Sequence, residues 1–313
     1  MAEDKKAFVD EINKALAKSE GLTLKDLLFS YWGTPYPATV CSAEMFQALE
    51  NLEARRDDIL LVSYPRCGVN WLIQIISDLI FTTIQSKPVS TELPLTEIGD
   101  PDKYQRMKQI PSPRILATHL NYDCLPRSIF KNKTKILVLF RNPKDTAVSF
   151  FHFHNSVPRV PSYSSWDEFF SEFMNGKVVW GSCFDHAVTW NKHIEDDNTM
   201  IIMYEDLKEN LTASVKQIAE FFGFFPMAEQ IQSIADSATF QAVDNKAEEI
   251  HGAVGSILFR KGKFVCILPG WCCWRLKNLF TEAQNQEMDA KFKVCLDGVK
   301  LGAKLKYNVY CTA

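Results

Sequence analysis

The residues best suited to chemistry in this 313-residue sequence lie between an apolar run and a helix-like stretch, within residues 59–81. The run ILLV is followed by the segment YPRCGVN, which carries Arg66 and Gly68, and apolar residues recur at helical spacing from Trp71 onward. A helix start exposes unpaired N–H groups and the positive end of the helix dipole, so a strand, a tight loop and a helix suit an anion such as phosphate. An ordinary connection in an α/β protein has the same form, and the signature G-x-x-x-x-G-K-[ST] is absent. Both interpretations stay open on this segment alone.

Two further polar residues follow apolar runs in the same way. His119 comes after RILAT, and Arg141 comes after KILVLF. Ser149 follows eight residues after Arg141, near the expected start of a helix, where a cation and a hydroxyl could share a second phosphate. A histidine can act as a general base near neutral pH, although a histidine at the end of a strand is more often structural. Arg141, taken alone, is more simply a surface residue. The coincidence of three such strand ends, with Arg66, indicates a shared site.

These residues need a scaffold that brings strand ends together. Strand-like runs at 59–62, 114–118, 135–140 and 200–204 alternate with helix-like stretches at 166–173, 182–193 and 211–222. This alternation predicts one α/β domain over residues 1–313, with a central, mainly parallel β-sheet flanked by helices on both faces. Ligands of such sheets sit at the carboxyl ends of the strands.

The remaining chain is predicted from its turn residues and periodicity. An aromatic-rich loop is expected at 27–39, a short helix at 43–52, and mostly loop at 86–113 with some helix around 104–108. Ser165 and Glu168 form a capping box before the helix-like stretch at 166–173.

Composition restricts the class of protein. The net charge of −3 argues against broad nucleic-acid binding, and no apolar stretch is long enough to span a bilayer. The nine cysteines form no CxxC pair, and no Cys/His cluster has zinc-ligand spacing. The first segment lacks the apolar stretch of a secretory signal, and the cysteines are most simply free thiols. Together these features predict a cytoplasmic protein.

Five short segments resemble, in order and spacing, the motifs of the cytosolic sulfotransferases. They are YPRCGVNW around Arg66, ATHL with His119, RNPKD from Arg141, YEDLK from Tyr204 and FRKG ending at Gly262. The details are most similar to sulfotransferase family 6B. The resemblance implies the sulfotransferase fold with a P-loop-like phosphosulfate-binding loop. It also implies transfer of a sulfuryl group from 3′-phosphoadenosine 5′-phosphosulfate to an acceptor hydroxyl or amine, without a metal.

The same resemblance assigns roles by position. His119 would be the general base and Arg66 the catalytic cation of the loop. Trp71, Tyr204 and the stretch 238–240 would contact the adenine, while Arg141, Ser149 and 260–262 would bind the 3′-phosphate. The full implied donor-binding set is Arg66, Cys67, Gly68, Val69, Asn70, Trp71, Arg141, Ser149, Tyr204, Ala238, Thr239, Phe240, Val243, Leu258, Phe259, Arg260, Lys261 and Gly262.

The chain departs from the family pattern in three places. Arg66 stands where lysine is usual, and because a planar guanidinium cannot simply replace a compact ammonium, we expect donor binding to survive better than rate. Ala117 stands where many relatives have lysine. An atypical segment of 14 residues, 263–276, replaces five, so an impaired nucleotide-binding relative is the alternative function. The dimer motif survives only as Lys277 and Thr281, which leaves a homodimer open.

The acceptor is inferred from aromatic content. A flat pocket could be lined by Trp32, Tyr36, Phe151, Phe153 and Trp180. Such a pocket favours phenols, including iodothyronines, while steroids and other alcohols stay open. An ATP-dependent kinase has less support, because the lysine–serine/threonine pair of the phosphate loop is missing.

Overall fold

A computed structural model describes residues 27–84, 92–157, 160–239 and 279–311. Its strands are Leu28–Tyr31 (β1), Thr34–Pro37 (β2), Ile59–Ser63 (β3), Ile115–Thr118 (β4), Lys135–Phe140 (β5) and Thr199–Met203 (β6). Its α-helices are Ala43–Glu50 (α1), Val69–Ile84 (α2), Lys103–Met107 (α3), Arg127–Lys131 (α4), Pro143–Ser156 (α5), Trp166–Met174 (α6), Cys183–Asn191 (α7), Tyr204–Glu209 (α8), Leu211–Phe222 (α9), Ala228–Ser237 (α10), Glu282–Leu296 (α11), Lys300–Lys304 (α12) and Tyr307–Tyr310 (α13).

Four strands form one parallel sheet in the order β4-β3-β5-β6. At the centre, Leu61 of β3 pairs with Ala117 of β4 on one side and with Leu137 of β5 on the other. The chain runs from β3 to β4 on one side, and then from β4 to β5 on the other side of β3. This reversal creates a switch point, where ligands of open α/β sheets bind. The predicted parallel sheet is confirmed.

Helices cover both faces of this sheet. Leu60 and Val62 of β3 pack into a core with α1, α5, α6, α7 and α11. Ile59 and Leu61 point the other way, into a second core with α2, α9 and α10. A strand that is buried on both faces has no polar side, so the near-continuous apolar runs of β3 and β5 follow from this architecture.

Local sequence signals set the ends of several helices. The side chain of Asn142 accepts hydrogen bonds from the N–H groups of Lys144 and Asp145, and Pro143 occupies the first position of α5. Helix α9 ends at Phe222 and is capped by Gly223, whose φ of 82° lies in the left-handed region that glycine tolerates. These caps fix where the chain enters and leaves the sheet.

One region differs from the predicted loop. Residues 27–39 contain the antiparallel hairpin β1–β2, which turns at Trp32 and Gly33 with φ values of 49° and 78°. Two consecutive positive φ angles are what a tight two-residue hairpin turn requires. The prolines that suggested a loop are compatible with this two-stranded ribbon, because both of its strands are edges.

Three smaller expectations also change. Tyr204 begins α8 instead of ending a strand, because β6 stops at Met203. Ser149 lies in the second turn of α5. Ser165 caps α6 as predicted, but Glu168 bonds to Ser164 and so does not complete the capping box.

None of the helices within the described ranges is both long and apolar enough to cross a membrane. The cysteines that the structure describes are free thiols, namely Cys41, Cys67, Cys124, Cys183, Cys295 and Cys311.

Candidate active site

The loop after β3 is shaped by two residues with positive φ. Arg66 has a φ of 70° and Gly68 a φ of 108°, and the Gly68 carbonyl accepts a hydrogen bond from Leu72 N–H to start α2. A Cβ atom at position 68 would lie 2.9 Å from Cδ2 of Tyr204. Glycine is therefore required here by both conformation and space.

Helix α5 supports this loop along one side. The Arg66 Nε donates to Ser149 Oγ at 3.2 Å, and the guanidinium carbon lies 5.3 Å from the ring centroid of Phe153. One turn before Ser149, the hydroxyl of Thr146 contacts Cys67 Sγ at 3.7 Å. Burial raises the pKa of Cys67 to about 12, so its thiol stays neutral and packs beneath the loop.

A cation and three further groups form the next part of the site. The guanidinium carbon of Arg141 lies 4.4 Å from the Tyr204 ring centroid, and Nη1 donates to the Arg66 carbonyl at 3.1 Å. The ring centroids of Trp71 and Tyr204 are 5.5 Å apart, and Trp71 Nε1 donates to the Ala238 carbonyl at 2.7 Å. The Nε of Arg141 is buried without a hydrogen-bond partner among the described residues. A half-buried cation with a buried, unused Nε–H donor beside aromatic rings suits a planar, anionic ligand.

The other residues implied by the resemblance differ in exposure. Val69 is buried, Asn70 is half-buried at the start of α2, and Thr239 is exposed with its hydroxyl donating to the Asp236 carbonyl. The following lie outside the described residues: Phe240, Val243, Leu258, Phe259, Arg260, Lys261, Gly262, the segment 263–276 and Lys277.

His119 lies just beyond β4, buried against the end of β3. Its Nδ1 is 2.8 Å from the Ser63 carbonyl oxygen. Because a carbonyl can only accept, Nδ1 carries the proton, and the neutral ring presents the lone pair of Nε2. Burial lowers the pKa of His119 from its usual 6.5, the charge of Arg66 lowers it further, and Glu97 opposes both. The ring is thus a neutral proton acceptor, with Trp180 at a centroid distance of 5.4 Å.

Two buried carboxyl groups near the strand ends were missed by sequence reasoning. Glu97 accepts a hydrogen bond from the backbone N–H of His119 at 2.9 Å. Glu205 accepts one from Asn142 N–H at 3.0 Å, and burial raises the pKa of Glu205 to about 7. Glu97 fell in the predicted loop, where a single acidic residue has no distinguishing signal. Glu205 stood in the YEDLK segment, but only the fold shows that it is buried.

The family follows from comparison with known proteins. A model of the sulfotransferase domain matches residues 56–306. The chain belongs to the sulfotransferase family. It is 60% identical to Sulfotransferase 6B1 of Pan troglodytes and 59% identical to that of Homo sapiens, each over 308 residues that cover 98% of this chain and 99% of the relative. The resemblance drawn from the motifs, down to family 6B, is confirmed.

Solved sulfotransferase structures agree with the fold. Mouse sulfotransferase SULT7A1, crystallised in complex with PAP (3′-phosphoadenosine 5′-phosphate), is 32% identical with a TM-score of 0.78, covering 91% of this chain and all of that one. Retinol dehydratase has a TM-score of 0.67 at 20% identity, covering 93% of this chain and 95% of that one, which supports the fold alone.

Proposed function

We propose that this sulfotransferase works in the cytosol and transfers the sulfuryl group of 3′-phosphoadenosine 5′-phosphosulfate to the hydroxyl of a small apolar acceptor. The acceptor class that we favour is a phenol, such as an iodothyronine. The observation that carries the proposal is the neutral Nε2 of His119 at the same sheet edge as the Arg66 loop. A base and an anion-binding loop at one edge are what transfer to a hydroxyl requires.

The chemistry divides between the two sides of the site. The bound donor supplies an S–O bond to its 5′-phosphate, which breaks as the acceptor oxygen forms a new S–O bond. His119 Nε2 takes the proton of the acceptor hydroxyl. Arg66 and the N–H groups at the start of α2 stabilise the charge that develops on the leaving phosphate. Arg141 and Tyr204 hold the nucleotide, which is consistent with the unused donor at Arg141 Nε.

The surroundings of His119 support an aromatic acceptor. Trp180 packs edge-to-face against His119, and Tyr36 packs edge-to-face against Trp180 with a centroid distance of 6.4 Å. Phe153 lies over Arg66, while Phe151 packs against Trp166 and Phe169 and contributes to the core beside α6. An apolar, aromatic environment at the base favours a flat phenol over a charged acceptor.

A transfer assay tests the activity. Purified protein is incubated with radiolabelled donor and a panel of acceptors that comprises several phenols, including an iodothyronine, together with a non-phenolic steroid and a primary alcohol. We expect labelled product from the phenols at the highest rate, with an active family member assayed in parallel. Absence of transfer to every acceptor would contradict the activity, and transfer to the steroid alone would contradict the phenol preference.

A substitution tests the role of His119. His119→Ala should lower kcat by about 10²- to 10⁴-fold, because it removes the base. PAP affinity, measured by calorimetry, should stay within about twofold, since the base contacts the acceptor side and not the phosphates. His193→Ala, at a histidine that is only half-buried, serves as the control. An equal loss of turnover and PAP binding would show that His119 is structural.

The alternative is a nucleotide-binding relative with impaired catalysis, and it rests on the segment 263–276. PAP calorimetry separates the cases. Tight binding without turnover in the transfer assay supports the alternative, whereas absent binding indicates a broken donor site.

A further inference from the structure

Glu97 is fully buried beside the proposed base, and both of its carboxylate oxygens accept hydrogen bonds. Oε1 accepts from His119 N–H at 2.9 Å. Oε2 accepts from the hydroxyl of Thr118 at 2.9 Å and from that of Thr96 at 3.2 Å. A buried carboxylate is costly unless such donors surround it. The arrangement therefore holds a carboxylate against the backbone of the proposed base.

We propose that Glu97 is a positioning residue for His119, holding its backbone and supplying the negative charge that stabilises its protonated ring. The inference rests on the proposed function of His119 as the base. It adds a carboxylate that acts through His119, from a segment that the strand-end motifs do not include.

The hydrogen bonds are directional. Thr118 Oγ1 accepts from the N–H of Leu120 at 3.2 Å, so its own proton points to Glu97 Oε2. The His119 N–H can only donate, and it faces Oε1. With a donor on each oxygen, Glu97 acts as an acceptor on both sides, which is the bonding of an ionised carboxylate.

The position of Glu97 is fixed by pairing of its segment with β4, the outer strand of the sheet. Leu95 forms a parallel bridge with Ala117, and Thr96 N–H donates to the Ala117 carbonyl at 2.8 Å. The Tyr104 hydroxyl then donates to the Thr96 carbonyl at 2.7 Å. Glu97 is thus attached to the same strand that carries His119, so the two residues keep their relative position.

Several groups act on the charge of His119. Burial opposes its protonated form most strongly and the charge of Arg66 adds to this, whereas Glu97 and the Ser63 carbonyl favour it. His186 is neutral, because burial lowers its pKa to about 3. Lys103 is the cation bonded to the backbone on either side of Glu97, where it donates to the Leu95 and Ile98 carbonyls. When His119 takes the acceptor proton during transfer, the imidazolium forms in a buried place. Glu97 is the carboxylate whose charge favours this protonated form.

The decisive variant is Glu97→Gln, which keeps the shape and an acceptor for His119 N–H but removes the charge. We expect the plateau of kcat/KM to fall about 3- to 10-fold, because the protonated base is less stable. The acid limb of the pH profile should move about 0.5–1 unit to lower pH, since loss of a negative charge lowers the pKa of His119. KM for the donor should not change. Glu97→Ala, which also releases the backbone, should lose about 100-fold.

Two measurements keep this test separate from that of the proposed function. An NMR titration of the His119 ring in wild type and Glu97→Gln reports the charge coupling without any turnover. Asp58→Asn removes another buried carboxylate, bonded to Arg114 at the other end of β3, and controls for loss of stability. Its acid limb should stay in place.

An unchanged His119 titration in Glu97→Gln would overturn the inference and leave Glu97 as a structural residue. A shifted titration in a protein that transfers no sulfuryl group would support the coupling while contradicting the proposed function. If Glu97→Ala does not fold, the Gln variant alone decides between these outcomes.

Discussion

Two regions of the site differ in burial: the histidine pocket and the anion loop (66–71). The pocket is formed by Ser63, Glu97, Thr118, His119 and Trp180, and each of these residues is at least nine-tenths buried. Arg66 in the loop is only half-buried. His119 is held by the Ser63 carbonyl at the end of β3, at 2.8 Å, and by the carboxylate of Glu97 beside β4, at 2.9 Å. The loop cation is instead contacted by the side chains of Ser149 and Phe153, at 3.2 Å and 5.3 Å.

The difference indicates how each half responds to change. A group fixed by backbone bonds at strand ends has one position, so substitutions around it leave buried donors unpaired. A long side chain held by other side chains can turn to a new partner at little cost. This accounts for an arginine at position 66, where we expect the charge to matter more than its exact placement. We therefore expect donor binding at the anion loop to tolerate a different cation but not a different backbone.

Among the predictions that compare the two regions in binding and stability, the largest effect tests the backbone of the anion loop. Gly68→Ala places a Cβ 2.9 Å from the Tyr204 ring at a φ of 108°, which costs about 2–3 kcal/mol. The loop relaxes to another conformation in the free protein, so we expect PAP affinity to fall about 100-fold. Gly223→Ala is the matched control, with a φ of 82° and nothing within 4 Å. Calorimetry that finds unchanged PAP affinity in Gly68→Ala would contradict the phosphate role of the loop.

A smaller effect is predicted for the histidine pocket. Thr118→Val removes the hydroxyl that bonds Glu97 and accepts from Leu120 N–H, and it leaves that buried N–H unpaired. We expect the free energy of unfolding in urea to fall by about 2 kcal/mol. Thr83→Val deletes a hydroxyl that donates to a helix carbonyl, and should change stability by less than about 0.5 kcal/mol. Equal effects of the two substitutions would mean that the pocket is no more constrained than a helix surface.

The sequence predicts the parts of this site that follow from local pattern. β3 and β5 are predictable because burial on both faces makes them continuously apolar, and Arg141 is predictable because it follows such a run. Glu97 could not be found, because its partners come from β4 and become neighbours only when residues 94–97 pair with that strand. Proline content concealed the β1–β2 hairpin, since prolines fit an edge strand as well as a loop.

The smallest predicted effect tests whether the loop cation is free to move. Arg66 and Phe153 form one pair in a double-mutant cycle of unfolding, with Arg66→Gln and Phe153→Leu as the single substitutions. We expect a coupling free energy of about 0.5–1 kcal/mol in the free protein, from the cation over the ring. With saturating PAP the coupling should approach zero, because the guanidinium turns towards the phosphate. Phe151→Leu, whose ring packs on Trp166 and Phe169, should show no coupling to Arg66 in either state. A coupling that persists with PAP bound would mean that the Arg66 side chain keeps its contact with Phe153 of α5. The anion loop would then be as rigid as the histidine pocket.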